Sequence, residues 1–201
     1  MRKKAAILAV MLVLAGACLS VAALAEEQKG LCEKLIRLHV VANSDDAYDQ
    51  AVKLKVRDAV LMRANELLQE ADDPEAVLTE NLQVLADTAQ GELRKRNDTA
   101  DIRVSYQYER FPTRQYDTFS LPAGVYKTLR VTIGRGEGHN WWCVVYPSLC
   151  LAASADALEE AAETADFSAG QVRLISGADA PYRFRFKSLE ILDRLKAALF
   201  S

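Results

Sequence analysis

The stretch Leu35–Val60, LIRLHVVANSDDAYDQAVKLKVRDAV, contains an alternating apolar pattern, then a polar turn, then an apolar pattern with helical spacing. In its first part, residues 35–42, the apolar side chains alternate, at Ile36, Leu38 and Val40. Arg37 and His39 stand between them. Period two is typical of a strand with one buried face, so the pattern predicts a half-buried strand with Arg37 and His39 on the exposed face.

The polar turn Asn43–Asp46 supplies the start of a helix. Short oxygen-bearing side chains accept hydrogen bonds from the free N–H groups of a first turn, and acidic ones suit the positive end of the helix dipole. A helical apolar stripe then runs from Ala47 to Glu70, through Val52, Val56, Ala59, Val60 and Leu67. Asp72-Asp73-Pro74 ends this helix and begins a second, which is predicted to continue to about Arg96.

The remaining pattern is rich in strands. Alternating or fully apolar segments predict three consecutive strands, over residues 102–109, 125–133 and 141–146. The third is apolar on both faces, which predicts a central, fully covered strand. Two further helices are predicted at residues 155–165 and 187–200, and two short extended segments at residues 172–175 and 182–186. This order predicts an α+β fold with a mainly antiparallel sheet and helices packed on one face.

The first 25 residues differ from the rest. A basic start at Arg2–Lys4 is followed by an uncharged run from Ala5 to Ala25, which ends in a small-x-small triplet. This pattern predicts a signal peptide over residues 1–25. The apolar run of roughly 20 residues is also long enough to span a bilayer as an uncleaved anchor. Both alternatives place residues 30–201, predicted to form a single domain, outside the cytoplasm.

Composition limits the partners of that domain. The chain is 50% apolar and 26% charged, as in ordinary globular proteins. Cleavage after Ala25 removes three positive charges and no acids, which changes the formal net charge from −3 to −6. An acidic domain is a poor candidate for binding nucleic acid. Membrane contact is expected only through the N-terminal segment, if that segment is retained.

The cysteines leave two readings open. After cleavage, Cys32, Cys143 and Cys150 remain. Cys143 and Cys150 either pair across a turn or are two buried thiols.

His139 lies four residues before Cys143, which allows an exported thiol hydrolase in which the histidine takes the thiol proton and the thiolate attacks. The alternative is a turn histidine beside a core cysteine, and no pattern for a metal, cofactor or catalytic site is otherwise found.

Several segments, in collinear order, resemble the motifs of the stage II sporulation protein R family. The opening block carries Ile36-Arg37, Ala42–Asp45, Asp49-Gln50 and Leu54–Asp58. The later motifs fall at Phe111–Thr113, Leu121–Tyr126, Gly138–Cys150 (GHNWWCVVYPSLC) and Arg183–Lys187. Ser148 stands where the family often has a second proline, which loosens that turn. Leu121 stands where the family often has an aromatic residue.

This resemblance implies a function by binding rather than by catalysis. The family is understood as a signal made in the forespore and exported into the space between the two membranes of a sporulating cell. There it activates a membrane-embedded aspartic protease, the sigma-E-processing peptidase. That protease cleaves the precursor of sigma factor E in the mother cell. A folded ligand of this kind favours one state of its receptor by differential affinity.

We further predict which residues contact that partner. The Asn43–Asp46 turn and the strand that contains both tryptophans are expected near the ends of the sheet. The predicted partner-binding residues are Asn43, Asp45, Asn140, Trp141 and Trp142. Because adjacent strand residues point to opposite faces, one tryptophan is expected in the core and the other against a helix or in solvent, unless both are covered.

Overall fold

The computed structural model describes residues 2–116, 119–149 and 155–176. Within them the helices are α1 (Arg2–Lys34), α2 (Ala47–Leu68), α3 (Pro74–Glu80), α4 (Leu82–Arg94), α5 (Ala155–Thr164) and α6 (Ala169–Ile175). The strands are β1 (Ile36–Val41), β2 (Ile102–Phe111), β3 (Arg114–Gln115), β4 (Ser120–Leu121), β5 (Gly124–Ile133) and β6 (Asn140–Tyr146).

Backbone contacts divide the chain into two compact units. Unit 1 draws on Met1–Cys32, Pro112–Gly124 and Phe167–Ser201, and unit 2 on Glu33–Phe111 and Val125–Asp166. Unit 2 contains the four-stranded sheet with α2, α3, α4 and α5, and unit 1 contains most of α1 together with the short β3–β4 pair and α6.

The sheet of unit 2 has the strand order β2-β5-β1-β6. β1 runs parallel to β5, with Leu38 opposite Leu129, and antiparallel to β6, with Leu38 opposite Cys143. Just past the end of β5, the Gly134 N–H donates to the carbonyl of Asp101 at 2.8 Å, so the start of β2 lies beside the end of β5. These two strands are therefore antiparallel. The predicted α+β class with a mainly antiparallel sheet is confirmed.

One face of this sheet is covered by helices. α2 and α4 contact each other and pack on the sheet, and α3 contacts α2 and β2. The strands contribute alternate apolar residues to this core, including Ile36, Leu38, Val40, Leu129, Val131, Ile133, Cys143 and Val145. Full burial of one such leucine or valine side chain contributes about 1.5–3 kcal/mol. The predicted stripe of α2 lies here too, with Val52, Val56 and Val60 buried.

The helix starts follow the predicted capping chemistry. The side chain of Asp46 accepts a hydrogen bond from the Asp49 N–H at 2.8 Å, and that of Asp73 accepts from Ala76 N–H at 3.0 Å. The single helix predicted over 74–96 is wrong, because Asn81 separates α3 from α4. The Asn81 side chain donates to the Val77 carbonyl at 2.8 Å, and its backbone leaves helical geometry at φ −106° and ψ 17°. Such local side-chain bonds compete with helix continuation.

The place of two strands differs from the prediction. β6 was predicted to be central, yet it ends the strand order, whereas β1 lies between β5 and β6. β1 is buried along its whole length, so Arg37, which is 0% exposed, and His39, which is 7% exposed, do not lie on a solvent face. Alternation in the sequence records which side chains are polar, but it does not record whether the second face of the sheet is covered.

A third difference concerns residues 172–175. They were predicted to be extended but belong to α6, because Ser168 forms a capping box with Gln171 that satisfies two backbone N–H groups at the helix start. The extended segment predicted at 182–186 and the helix predicted at 187–200 lie outside the described residues.

Unit 1 contains the apolar N-terminal helix. From Val10 to Lys34, α1 is long and apolar enough to cross a membrane, and none of its apolar window is buried. The last turns of α1 instead join the fold of unit 1: Leu31 is fully buried, and the Gln28 side chain donates to the carbonyl of Ala123 at 2.5 Å. The Ser168 hydroxyl donates to the carboxylate of Glu27 at 2.5 Å. This helix agrees with a signal peptide or membrane anchor.

The position of β1 in the core generates a stability prediction. Leu38→Ala removes a fully buried side chain from the middle of the sheet and should lower the free energy of unfolding by about 2–5 kcal/mol. Met62→Ala is the control, because Met62 is 61% exposed on α2 and its removal should change stability by less than about 0.5 kcal/mol. Urea unfolding followed by circular dichroism measures both, and equal effects would contradict the central placement of β1.

Candidate functional site

A polar network occupies the second face of the sheet, opposite the helices. Its centre is His39 on β1, whose Nδ1 lies 2.6 Å from Glu109 Oε2 and whose Nε2 lies 2.8 Å from Asn140 Oδ1. Glu109 also accepts from Arg130 at 3.0 Å and from Gln107 at 2.6 Å. We call His39, Glu109, Arg130, Asn140 and Trp142 the His39 face.

The Glu109 carboxylate is the electrostatic centre of this network. Burial raises the pKa of Glu109, but the hydrogen bonds from His39 and Arg130 lower it by more, so the pKa lies below its ordinary value. A carboxylate that accepts hydrogen bonds from a guanidinium and from further N–H donors is stabilised in its charged form. The network therefore has a charged carboxylate at its centre.

Arg37 lies on the same face of β1 and is fully buried. Its Nε donates to the carbonyl of Cys143 at 3.0 Å. Its guanidinium also lies over the rings of Phe111 and Tyr126, 4.4 Å and 5.2 Å from their centroids. A buried cation requires such partners, because its removal from water is otherwise costly. Arg37 thus fixes the position of the aromatic side chains from β2 and β5.

The two tryptophans point to opposite faces of β6, as predicted. Trp141 packs against the helical core, with the guanidinium of Arg57 4.2 Å from its ring centroid. Trp142 lies on the His39 face, its ring 5.8 Å from His39 and 6.1 Å from Phe111. Both residues are half-buried.

The turns at one end of the sheet form a second cluster, which we call the Asn43 corner. The Asn43 side chain accepts from the Arg135 N–H at 3.1 Å and donates to Asp49 Oδ2 at 2.7 Å. Asp45 accepts from both the backbone and the ring of His139, the backbone bond being 2.6 Å long. These bonds tie the loop before α2 to the loop that connects β5 to β6. The hydrogen bonds from His139 lower the pKa of Asp45.

Two further contacts close the Asn43 corner. Lys53 on α2 donates to the carbonyl of His139 at 3.0 Å and to Gln50 at 2.6 Å. Gly138 approaches the loop so closely that a Cβ there would lie 2.1 Å from the carbonyl oxygen of Ser44. Only glycine fits such a contact without a shift of backbone. The contact between the Asn43–Asp46 turn and the loop that contains Gly138 thus requires glycine at position 138.

The thiol-hydrolase reading finds no support in this geometry. Cys143 is disulfide-bonded and 3% exposed, so it presents no thiolate. His139 is 77% exposed and binds Asp45. The predicted partner of Cys143, Cys150, lies outside the described residues, and the pairing stays a prediction. At His39, the two ring nitrogens lie within hydrogen-bond distance of Glu109 and Asn140, not of a nucleophile.

The structure brings the two predicted contact segments together. Val41 pairs with Asn140 across the β1–β6 ladder, so the Asn43–Asp46 turn and the Asn140–Trp142 segment meet at one end of the sheet. Trp141 alone points to the helical side. The prediction missed Arg37, Glu109 and Arg130. Their polar character at alternating strand positions was visible, but alternation alone assigned such residues to solvent.

Comparison with known proteins decides the family. The family model for stage II sporulation protein R matches residues 32–156. This chain belongs to the stage II sporulation protein R family. A relative named stage II sporulation protein R, from Bacillus subtilis (strain 168), is 33% identical over 122 residues, which are 59% of this chain and 54% of that protein. The chain thus spans about half the length of the curated relative it matches. No solved structure matches it.

The family match covers both clusters described above. The segment 32–156 contains β1, β2, β5 and β6, and with them the His39 face and the Asn43 corner. Family motif residues such as Asn43, Asp45, Asp49 and Gly138 make hydrogen bonds or close contacts within unit 2. Much of the motif therefore has a structural role in this member of the family.

The charge on Glu109 predicts a pH-dependent stability. Because its folded pKa is depressed, the carboxylate stabilises the fold fully above its unfolded pKa of about 4.3, and this contribution is lost as the pH falls through the folded pKa. Glu109→Gln should therefore cost about 1–3 kcal/mol at pH 5, and the difference from the unmodified protein should shrink towards pH 3.

The matched control for this prediction is Glu66→Gln. Glu66 pairs with Arg63 on the exposed surface of α2, where an ion pair contributes at most about 0.5 kcal/mol. Unfolding by urea between pH 5 and pH 3 is the measurement. A stability difference at Glu109 that does not change with pH would show that its charge does not stabilise the His39 face.

Proposed function

We propose that this protein is an exported sporulation signal that activates a membrane-embedded aspartic protease by binding it. The protease would process the precursor of sigma factor E in the mother cell, and the signal would act in the space between the forespore and mother-cell membranes. Membership of the stage II sporulation protein R family is the observation that carries this proposal.

The N-terminal helix supports the export step. α1 has the length and apolar composition of a membrane-crossing or signal segment, and unit 2, which carries both polar clusters, follows it in the chain. Either cleavage after Ala25 or retention as an anchor delivers the domain to the outer side of the membrane. A membrane-embedded receptor is then accessible to it.

The chemistry of the described residues supports binding over catalysis. Cys143 is disulfide-bonded, and the ring nitrogens of His39 are both engaged. A ligand can activate an enzyme without chemistry of its own if it binds the active conformation more tightly than the inactive one. The end of the sheet where the Asn43 corner adjoins Asn140 and Trp142 is our candidate for the contact surface.

Deletion of the gene in its sporulating host tests the proposed function. Immunoblotting should then show accumulation of the sigma-E precursor and loss of the processed form, and a plasmid-borne copy should restore processing. Normal processing in the deletion strain would rule the proposal out.

Trp142→Ala and Asn43→Ala test the contact surface in the complemented strain. Both should reduce precursor processing at least tenfold while the protein remains present at the normal level. Asn43→Ala also removes two hydrogen bonds of the corner, so stability must be measured alongside. Val56→Ala is the stability control, because Val56 is a fully buried residue of α2 in the core on the opposite face of the sheet. Full activity in both surface variants would exclude this surface.

The double variant Cys143→Ser with His139→Ala separates binding from thiol catalysis. A binding protein should still support processing in proportion to the amount of folded protein, which limited proteolysis measures. A thiol enzyme would lose activity completely even at normal folded levels, and that result would favour the hydrolase.

A further inference from the structure

β2 is the outer strand of the four-stranded sheet in the described part of the chain. The carbonyl of Asp101 faces β5, because it accepts from the Gly134 N–H at 2.8 Å. Backbone groups of successive strand residues point to alternate sides. The N–H and C=O groups of Ile102, Val104 and Tyr106 therefore point away from β5, towards the open edge.

The first position of this edge is already capped by a side chain. Gln90 on α4 accepts from the Ile102 N–H at 3.2 Å and donates to the Ala100 carbonyl at 3.1 Å. No described hydrogen bond uses the outward backbone groups of Val104 and Tyr106. An edge with unpaired backbone donors and acceptors is a template for another strand.

A groove of about 740 Å³ runs along this edge. Four consecutive residues, Ile102–Ser105, line it, although their side chains alternate between the two faces of the sheet. The lining also includes Arg130 and Thr132 of β5, so the groove extends from the edge of β2 onto the second face of the sheet. A groove beside an unpaired strand edge offers room for an added extended peptide.

The two sides of the groove differ in chemistry. On the helical side, Leu82 and Ala86 of α4 present apolar groups next to Ile102 and Val104. On the other side the lining contains the guanidinium groups of Arg103, Arg130 and Arg135, together with Ser105, Gln107 and Thr132. Among the described residues, no carboxylate lines the groove, although the whole chain has a net charge of −3.

The arginines differ in how far they are neutralised. Arg130 binds Glu109 at 3.0 Å, and Arg135 lies 3.4 Å from Glu137 in a largely exposed pair. Arg103 donates only to the carbonyl of Gly134, at 3.4 Å, and has no acidic partner among the described residues. The groove therefore retains positive charge on one side.

We propose that the edge of β2 binds an extended peptide segment of a partner protein as an additional strand, and that this segment alternates apolar and acidic residues. The apolar side chains would face Leu82 and Ala86, and the acidic ones would face Arg103 and Arg135. A second copy of this chain would bring these arginines against their own copies, which like-charge repulsion disfavours. The inference rests on the proposed function only in assigning the segment to the protease.

The binding test uses a fluorescein-labelled peptide of about eight residues that alternates valine and glutamate, with the full chain in detergent micelles. Fluorescence anisotropy should show saturable binding that weakens at least tenfold when NaCl is raised from about 50 to about 300 mM. The same peptide with lysine in place of glutamate should bind at least tenfold more weakly.

Two pairs of variants locate the site. The double variant Arg103→Glu with Arg135→Glu should weaken binding at least tenfold, whereas Lys55→Glu with Arg63→Glu makes the same charge change on α2 and should leave binding unchanged. Val104→Pro removes one outward N–H at an edge position that tolerates proline and should also weaken binding. Val104→Ile keeps that N–H and is its control.

The outcomes separate this inference from the proposed function. Unchanged peptide binding in both the arginine and the proline variants would overturn the edge site. A second result would overturn it too: the unmodified chain binds no peptide but dimerises in a concentration-dependent way, and the variants lose this dimerisation. That result would point to a second copy as the occupant of the edge. If the variants lose peptide binding but process the sigma-E precursor normally in sporulating cells, the edge site stands and its assignment to the protease fails.

Discussion

The fold of unit 2 depends on the complete burial of β1. A strand covered on both faces cannot leave a cation without partners, because the loss of hydration costs more than packing returns. Arg37 meets this constraint through a backbone carbonyl and two aromatic rings, and the polar ring of His39 has hydrogen-bond partners in Glu109 and Asn140. These two side chains therefore determine which groups β2, β5 and β6 must present on the second face.

The same constraint explains why the two polar clusters adjoin each other. Asn140 binds His39 at the end of β1, and the preceding residue, His139, binds Asp45 in the turn that follows β1. The loop that connects β5 to β6 and the start of β6 are thus held by one cluster on the sheet and by the other at its end. Residues that look like a binding signature in the sequence are in large part the residues that hold this loop to the start of α2.

The outer strands have a different physical character from β1. β6 packs both of its faces against other side chains, through Trp141 and Trp142. Its sequence is therefore strongly apolar even though it lies at the end of the strand order. β2 keeps a polar second face, and no hydrogen bond in the described part of the chain uses the outward backbone groups of Val104 and Tyr106. The binding function that we propose requires a specific surface, and this edge has the directional hydrogen-bonding groups that such an interface uses.

Local chemistry in the sequence determined the apolar N-terminal helix, the α+β class, the start of α2 at Asp46 and the opposite orientations of the two tryptophans, because each depends on periodicity or on neighbours within a few residues. Sequence alone did not reveal the break at Asn81, the helix at 172–175, or the contacts of Glu109 with His39 and Arg130. The sequence pattern also predicted a central position for β6, whereas β1 is the strand that lies between β5 and β6. Strand order and the coverage of the second face decide these last points, and both arise from contacts between residues far apart in the chain. Tertiary structure alone therefore decided that Arg37 and His39 are buried, because an alternating pattern is the same whether its polar face meets water or a hydrogen-bonded network.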